Sequence, residues 1–223
     1  ASGAGTPFQN TIAQRMQACT TCHGLQGRAG PDGYYPRLAG KPAGYLHHQL
    51  HNFQQGHRHY GLMADLLEPL PDAYLREIAE YFAQLDAPYA PPVPVQARDQ
   101  ALLQAGERLV RQGKPSAGVP ACMACHGPQL LGIAPDTPGL LGLPKAYLTA
   151  QMGAWRTGQR KALAPDCMAQ VVRDLSDDEL NAAATWLASQ PVPAGAKPAT
   201  ASTTAVPARF RCGAAPQLQV AAP

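Results

Sequence analysis

The sequence predicts an all-α chain of two tandem domains, each wrapped around its own covalently held group, and three observations predict it. A pentapeptide occurs twice, as Cys19-Thr20-Thr21-Cys22-His23 and as Cys122-Met123-Ala124-Cys125-His126. It sits inside a longer repeat: at a constant offset of 102, Pro36, Leu38, Gly40, Pro42, Tyr45, Leu46, Gln49, Gly56 and Arg58 meet Pro138, Leu140, Gly142, Pro144, Tyr147, Leu148, Gln151, Gly158 and Arg160. Apolar positions recur at helical spacing, and no strand pattern runs longer than three or four residues. Chance does not produce such a register, so the chain is internally duplicated.

Each pentapeptide is a Cys-x-x-Cys-His run. Two thiols on one turn can bond the two vinyl groups of a haem, while the adjacent imidazole takes its iron. A structural zinc would want a second ligand pair at its own spacing, and a redox dithiol does not need the following histidine. The expected cofactor is therefore two haems c, attached through Cys19, Cys22, Cys122 and Cys125, with His23 and His126 on the irons.

These residues resemble the two-haem cytochrome c4 family of bacterial periplasmic and membrane-associated electron carriers. The resemblance covers about residues 8 to 190 and stops before the last thirty-odd. It implies two small helical cytochrome c domains packed together, with haems close enough to exchange electrons. The expected division is a first domain over 1–86, a proline-rich linker over 87–97, a second domain over 98–190 and an Ala/Pro-rich tail over 191–223.

At 223 residues, with an aromatic share of 6%, the chain suits two domains that are each too small to bury a large core alone. A haem supplies the missing apolar volume, so the apo chain is expected to fold poorly. Residues 1–86 carry six basic and seven acidic groups, residues 98–190 nine and eight, and the tail three and none. No basic stretch argues for nucleic acid, and no apolar run approaches the length of a membrane span. The start, Ala1-Ser2-Gly3, shows no basic and apolar signal region, which reads as an export signal already removed. Attachment of haem c belongs to exported bacterial proteins, so the periplasm is the expected compartment.

Along the chain, Thr6-Pro7 reads as the opening of a helix through Phe8, Ile12, Met16 and Ala18 into the first motif. Glycines and prolines between Gly24 and Lys41 forbid a long regular element. Tyr45, Leu46, Gln49, Leu50 and Phe53 share one face of a second helix; a third, begun at Pro71-Asp72, carries Leu75, Ile78, Ala79 and Phe82. Asp86 to Val95 holds four prolines and reads as an extended linker, short enough to keep the domains in contact. The second half repeats the order, with a helix around Leu102 to Val110, one from Lys145 to Arg156, and a last one to Ser189 opened by the capping box Ser176-Asp177-Asp178-Glu179.

Carrier haems usually take a methionine as sixth ligand, because the soft thioether raises the potential and closes the site. The second half has no histidine besides His126; Met123 lies inside the motif and Met152 aligns with the core residue Leu50, which leaves Met168. Met63-Ala64 aligns with Met168-Ala169, and Leu70-Pro71-Asp72 with Leu175-Ser176-Asp177, so Met63 is its counterpart. The family places its axial methionine in the same stretch. His57 and His59 are rivals for the first iron; with His47, His48 and His51 they are otherwise solvated groups on a helix and the loop after it. Cys167, beside Met168, is open to three readings: a disulfide with Cys212 that pins the tail, a free structural thiol, or a thiolate iron ligand of the kind that marks thiosulfate dehydrogenases with a His/Cys-ligated haem.

The resemblance gives Pro36 and Pro138 the role of accepting the imidazole N–H of His23 and His126, with a plain loop proline as the alternative. Arg58 and Arg160, with Tyr45 and Tyr147, suit haem propionates, against helix packing and surface charge. The function expected is single-electron transfer between a donor dehydrogenase or quinol-oxidising complex and a terminal oxidase, small cytochrome or cupredoxin, with any membrane association made through those partners. Two rivals stay open: a dihaem oxidoreductase such as a thiosulfate dehydrogenase, supported by Cys167 alone, and a dedicated electron-accepting subunit of one dehydrogenase.

Overall fold

The computed structural model describes residues 9–30, 33–201 and 205–218. It is predominantly helical, with one two-residue strand pair among the described residues. In the first half, α1 (Ile12–Arg15) and α2 (Gln17–His23) lead into the motif. One helix was expected there, and the two segments join at Met16, which is 2% exposed, keeps right-handed helical dihedrals, donates to the Ile12 carbonyl at 2.9 Å and accepts from the Thr20 N–H at 3.1 Å. The local start is capped by the Thr11 side chain, which accepts from the Gln14 N–H at 3.2 Å. The proposed opening at Thr6, Pro7 and Phe8 lies outside the described residues.

After the Gly24–Lys41 loop come α3 (Ala43–Gln54), α4 (Gly61–Leu67) and α5 (Asp72–Gln84). Leu46 and Phe53 from α3, Leu67 from α4, and Leu75, Ile78 and Phe82 from α5 meet Met16 in one core. Their spacing is three, four or seven along each helix, the stripe that burial against a neighbour requires.

In the second half, α6 (Gln100–Gln112) crosses α10 (Asp177–Ser189) at Gly106, where a Cβ would overlap the Ala182 carbonyl. Small residues at this crossing let the two backbones touch and make it the tightest helix pair in the molecule. Between them lie α7 (Cys122–His126), the pair β1 (Gly132–Ile133) and β2 (Thr137–Pro138), α8 (Lys145–Arg156) and α9 (Cys167–Asp174). The expected capping box is formed: Ser176 Oγ accepts from the Glu179 N–H at 3.2 Å and Glu179 Oε2 from the Ser176 N–H at 2.7 Å.

The linker is extended and fastened at both ends. Arg37, which the repeat replaces by Gly139, donates to the Pro88 carbonyl at 2.8 Å and stacks over Tyr89 at 3.7 Å. Farther on, the Val93 N–H donates to the Ala188 carbonyl at 3.2 Å. The tail is held against the second half. Ala199 bonds into β1 on both sides, Phe210 is 1% exposed, and Cys212 is bonded to Cys167 with their Cα atoms 5.0 Å apart. No helix among the described residues is long and apolar enough to cross a membrane.

Candidate functional site

Two cavities, one in each half, carry the repeated residues. The space unfilled by protein atoms, open solvent at the mouth included, is about 1480 Å³ in the first and about 1560 Å³ in the second. His23 and Met63 line the first; His126, Cys122, Cys125 and Met168 line the second. Each histidine is the last residue of its motif helix, turned inward where a positive-φ glycine, Gly24 or Gly127, ends the helix.

The two rings are held alike. His23 Nδ1 is 2.8 Å from the Pro36 carbonyl oxygen and His126 Nδ1 is 2.8 Å from that of Pro138. Donation from Nδ1 fixes the tautomer and leaves the Nε2 lone pair facing the cavity. Burial depresses the pKa of both imidazoles, so each stays neutral and able to bind a metal.

Three of the motif thiols lack the depressed pKa of a reactive dithiol. Burial pushes Cys122 up to about 12 and Cys125 up to about 11, and Cys19 is also raised, whereas a reactive dithiol has a depressed pKa. Cys19 packs with its sulfur 3.9 Å from that of Met16, and Cys22 is exposed; neither lines the first cavity.

Met63 and Met168 stand in the first turns of α4 and α9, helices of seven and eight residues that spacing alone did not reveal because each is only about two turns long. An equivalent clamp holds both. Gln54 Nε2 donates to the carbonyls of Leu67 and Leu70 at 2.6 and 2.9 Å. Its repeat partner Arg156 donates to those of Val172, at 2.7 Å, and Leu175. The clamp confirms the register that pairs α4 with α9. His59 also lines the first cavity, but its repeat partner is Lys161, so the duplication does not place an imidazole there. The backbone at that point is engaged between the halves: the His59 N–H donates to the Gln159 carbonyl at 3.1 Å and the Lys161 N–H to that of His57 at 2.6 Å.

Around that short ladder the halves meet as near-copies. Arg58 donates to Tyr147 Oη at 3.0 Å and Gln151 Oε1 at 2.8 Å; Arg160 donates to Tyr45 Oη at 3.3 Å and Gln49 Oε1 at 3.0 Å. The four residues expected at propionates are thus cross-paired between the domains. Tyr45, Gln49, Tyr147, Gln151, Arg160 and Lys41 line both cavities, so this cluster is the wall the cavities share. Burial by itself would raise the Tyr45 phenol, but the neighbouring Arg160, Arg58 and Lys41 charges outweigh it and bring it down to about 8. Lys41, whose repeat partner is Leu143, gave no sequence signal of this role.

The second cavity, which Cys122, Cys125, His126 and Met168 all line, fits a macrocycle that carries carboxylates. Beside the apolar walls, the Trp155 indole Nε1 and the Thr137 hydroxyl, both lining the second cavity, are buried with no hydrogen-bond partner among the described residues. The guanidinium of Arg160 lies 3.9 Å over the Trp155 ring, adding a cation beside that orphaned donor. Cys167 lines the same cavity, but its sulfur is committed to Cys212, which removes it as an iron ligand and with it the support for a thiosulfate-oxidising enzyme.

No family model matches the chain. It is 38% identical over 175 residues, 78% of its length and 79% of the relative's, to a thiosulfate dehydrogenase electron acceptor from Thiomonas intermedia. It is 37% identical over 147 residues, 66% of its length and 70% of the relative's, to cytochrome c4 from Pseudomonas aeruginosa. The reduced recombinant cytochrome c4 from Pseudomonas stutzeri superposes with a TM-score of 0.67 at 30% identity, over 79% of this chain and 95% of that one. The relatives are named as electron carriers, not as enzymes. With the geometry of paired helical halves, this places the chain in the cytochrome c4 family of electron-carrying, haem c proteins.

Proposed function

We propose that the chain holds two haems c and serves in the periplasm as the electron acceptor of a thiosulfate-oxidising dehydrogenase, passing single electrons on to an oxidase, a small cytochrome or a cupredoxin. The observation that carries this is the pair of equivalent cavities, each with a carbonyl-oriented imidazole from a Cys-x-x-Cys-His helix and a methionine from a clamped short helix. The choice of donor rests on the relative that matches the larger share of the chain.

Haem c, when bound, supplies an iron that gains and loses one electron at a time. Cys19, Cys22, Cys122 and Cys125 would tether the groups, His23 and Met63 would hold one iron, and His126 and Met168 the other. Pro36 and Pro138 keep each imidazole in a single tautomer and orientation, so few protein atoms need move. Met63 and Met168, which line the cavities, would ligate the irons and so keep outside molecules off. Arg58, Arg160 and Lys41 offer cations where carboxylates from either cavity would approach, and Tyr45 and Tyr147 hold the guanidinium groups in place.

The test is anaerobic mixing of the oxidised holoprotein with a thiosulfate dehydrogenase and thiosulfate, followed by its visible absorption. The expected result is rapid uptake of two electrons per chain, with none from thiosulfate alone. Reduction by thiosulfate without the dehydrogenase would make the chain an enzyme. No reduction with it, in protein that ascorbate still reduces, would exclude this donor.

A further inference from the structure

We propose that His47, His51 and Asp72 form a binding site for one divalent transition-metal cation of the Zn²⁺ or Cu²⁺ kind, on the outer side of the first domain. The two histidines are four residues apart on α3, which stacks them one turn apart on one face. Their ring centroids are 4.6 Å apart and their planes nearly perpendicular, at 87°. Both Nε2 atoms lie 2.7 Å from the same atom, Asp72 Oδ1, and the three donor atoms fall within 4.8 Å of one another.

That convergence is what a cation needs. With ligand bonds near 2 Å, a tetrahedral site has edges of about 3.3 Å, so small side-chain rotations would open the two short edges and close the third. Two neutral imidazoles and a carboxylate suit zinc or copper; calcium and magnesium would require more oxygens. The other carboxylate oxygen is held by Arg76 at 3.1 Å, which orients Asp72 and leaves Oδ1 to the ion. The side chains of His47, His51 and Asp72 are 14%, 29% and 54% exposed, so the site opens to solvent on the carboxylate side and leaves room for a water as fourth ligand.

The duplication separates this cluster from the electron-transfer machinery. Asp72 has a counterpart in Asp177, but His47 and His51 correspond to Thr149 and Gly153, and Asp177 is paired with Arg156 instead. The residues the two halves share serve the cavities; the imidazole pair is an addition to the first half alone. His48, next in sequence, faces the other half near Asp136 at 4.0 Å and takes no part.

Isothermal titration of the holoprotein with ZnCl₂ tests this. The expected result is one Zn²⁺ per chain, at least tenfold weaker binding in His47→Ala or His51→Ala, and unchanged binding in His48→Ala. Cu²⁺ bound to the wild type should show nitrogen hyperfine splitting that is lost in the double variant. An unchanged haem spectrum shows that the His47 and His51 variants are folded, since these two side chains line neither cavity, whereas His48 lines the second. No saturable binding by about 1 mM, or binding that survives in the double variant, overturns the proposal.

Discussion

The two halves share a site and differ in what covers it. Around the Met168 helix the second half is closed by the tail: Phe210, Cys212 and Leu218 are buried there, the Gly213 N–H donates to the Pro165 carbonyl at 2.9 Å, and Arg209 pairs with Asp174 at 3.2 Å. The first half has no such cover among the described residues, and Leu25, Tyr34, Leu62 and Leu66 are exposed on it. Of 34 buried apolar residues among those described, the tail alone gives the second half Val206, Phe210, Cys212, Ala215 and Leu218. The duplicated residues therefore sit in two settings, one covered by the tail and one without that cover among the described residues.

The largest expected effect comes from removing one half's tether. Cys122→Ser with Cys125→Ser should lower the haem content from two to one per chain and unfold the second half, whose core loses the group it packs around. The first half should keep its absorption spectrum, and the mirror variant at Cys19 and Cys22 should do the reverse. Haem assay with circular dichroism reads this; loss of both haems in either variant would mean the halves are not separate units.

Breaking the cover is next. Cys167→Ser with Cys212→Ser opens a loop closed across a sequence separation of 45 and should destabilise the second half by about 4 kcal/mol in the chain-entropy account. Guanidinium unfolding followed at each haem should show this loss in the second half only. At the shared wall, Arg160→Ala removes the donors to Tyr45 Oη, Gln49 Oε1 and Gln151 Oε1, of which Gln49 and Gln151 keep their bonds from Arg58, and should cost about 2 kcal/mol. Arg58→Ala should cost less, because Arg160 is the more buried of the two; equal losses would show that burial does not distinguish them.

The smallest effect concerns helix starts. Ser176→Ala should cost about 1 kcal/mol, whereas the equivalent position in the first half, Pro71, makes no side-chain cap. Glu179 accepts from the Ser176 N–H and from Lys114, which holds its carboxyl below the ordinary carboxylate range. Its contribution is therefore full above the ordinary value and is lost as pH falls through the depressed one. Acid titration of stability in wild type and Glu179→Gln should converge at low pH.

Much of this was legible in the sequence because it is local or repeated. The motifs, the Lys145–Arg156 helix and the capping box follow from short-range spacing, and the repeat supplied the pairing of Met63 with Met168. What was not legible depends on long-range contact. The short helices α4 and α9 leave too few residues for a periodic signal. The Gln54 and Arg156 clamps differ in chemistry and match only in where they reach. Arg37 and Lys41 have apolar or glycine repeat partners, so the duplication hid them. Arg58, Arg160, Tyr45 and Tyr147 were legible as a set, while their exchange of partners across the halves needed the domains placed together.

The central claim, that each half holds a haem iron between a histidine and a methionine, is tested most directly by near-infrared magnetic circular dichroism of the oxidised protein, counting methionine-to-iron charge-transfer signals against haem content. Two signals for two haems, one lost in Met63→Ala and the other in Met168→Ala, is the predicted result. A single signal, or a bis-histidine signature that disappears in His59→Ala, would contradict it.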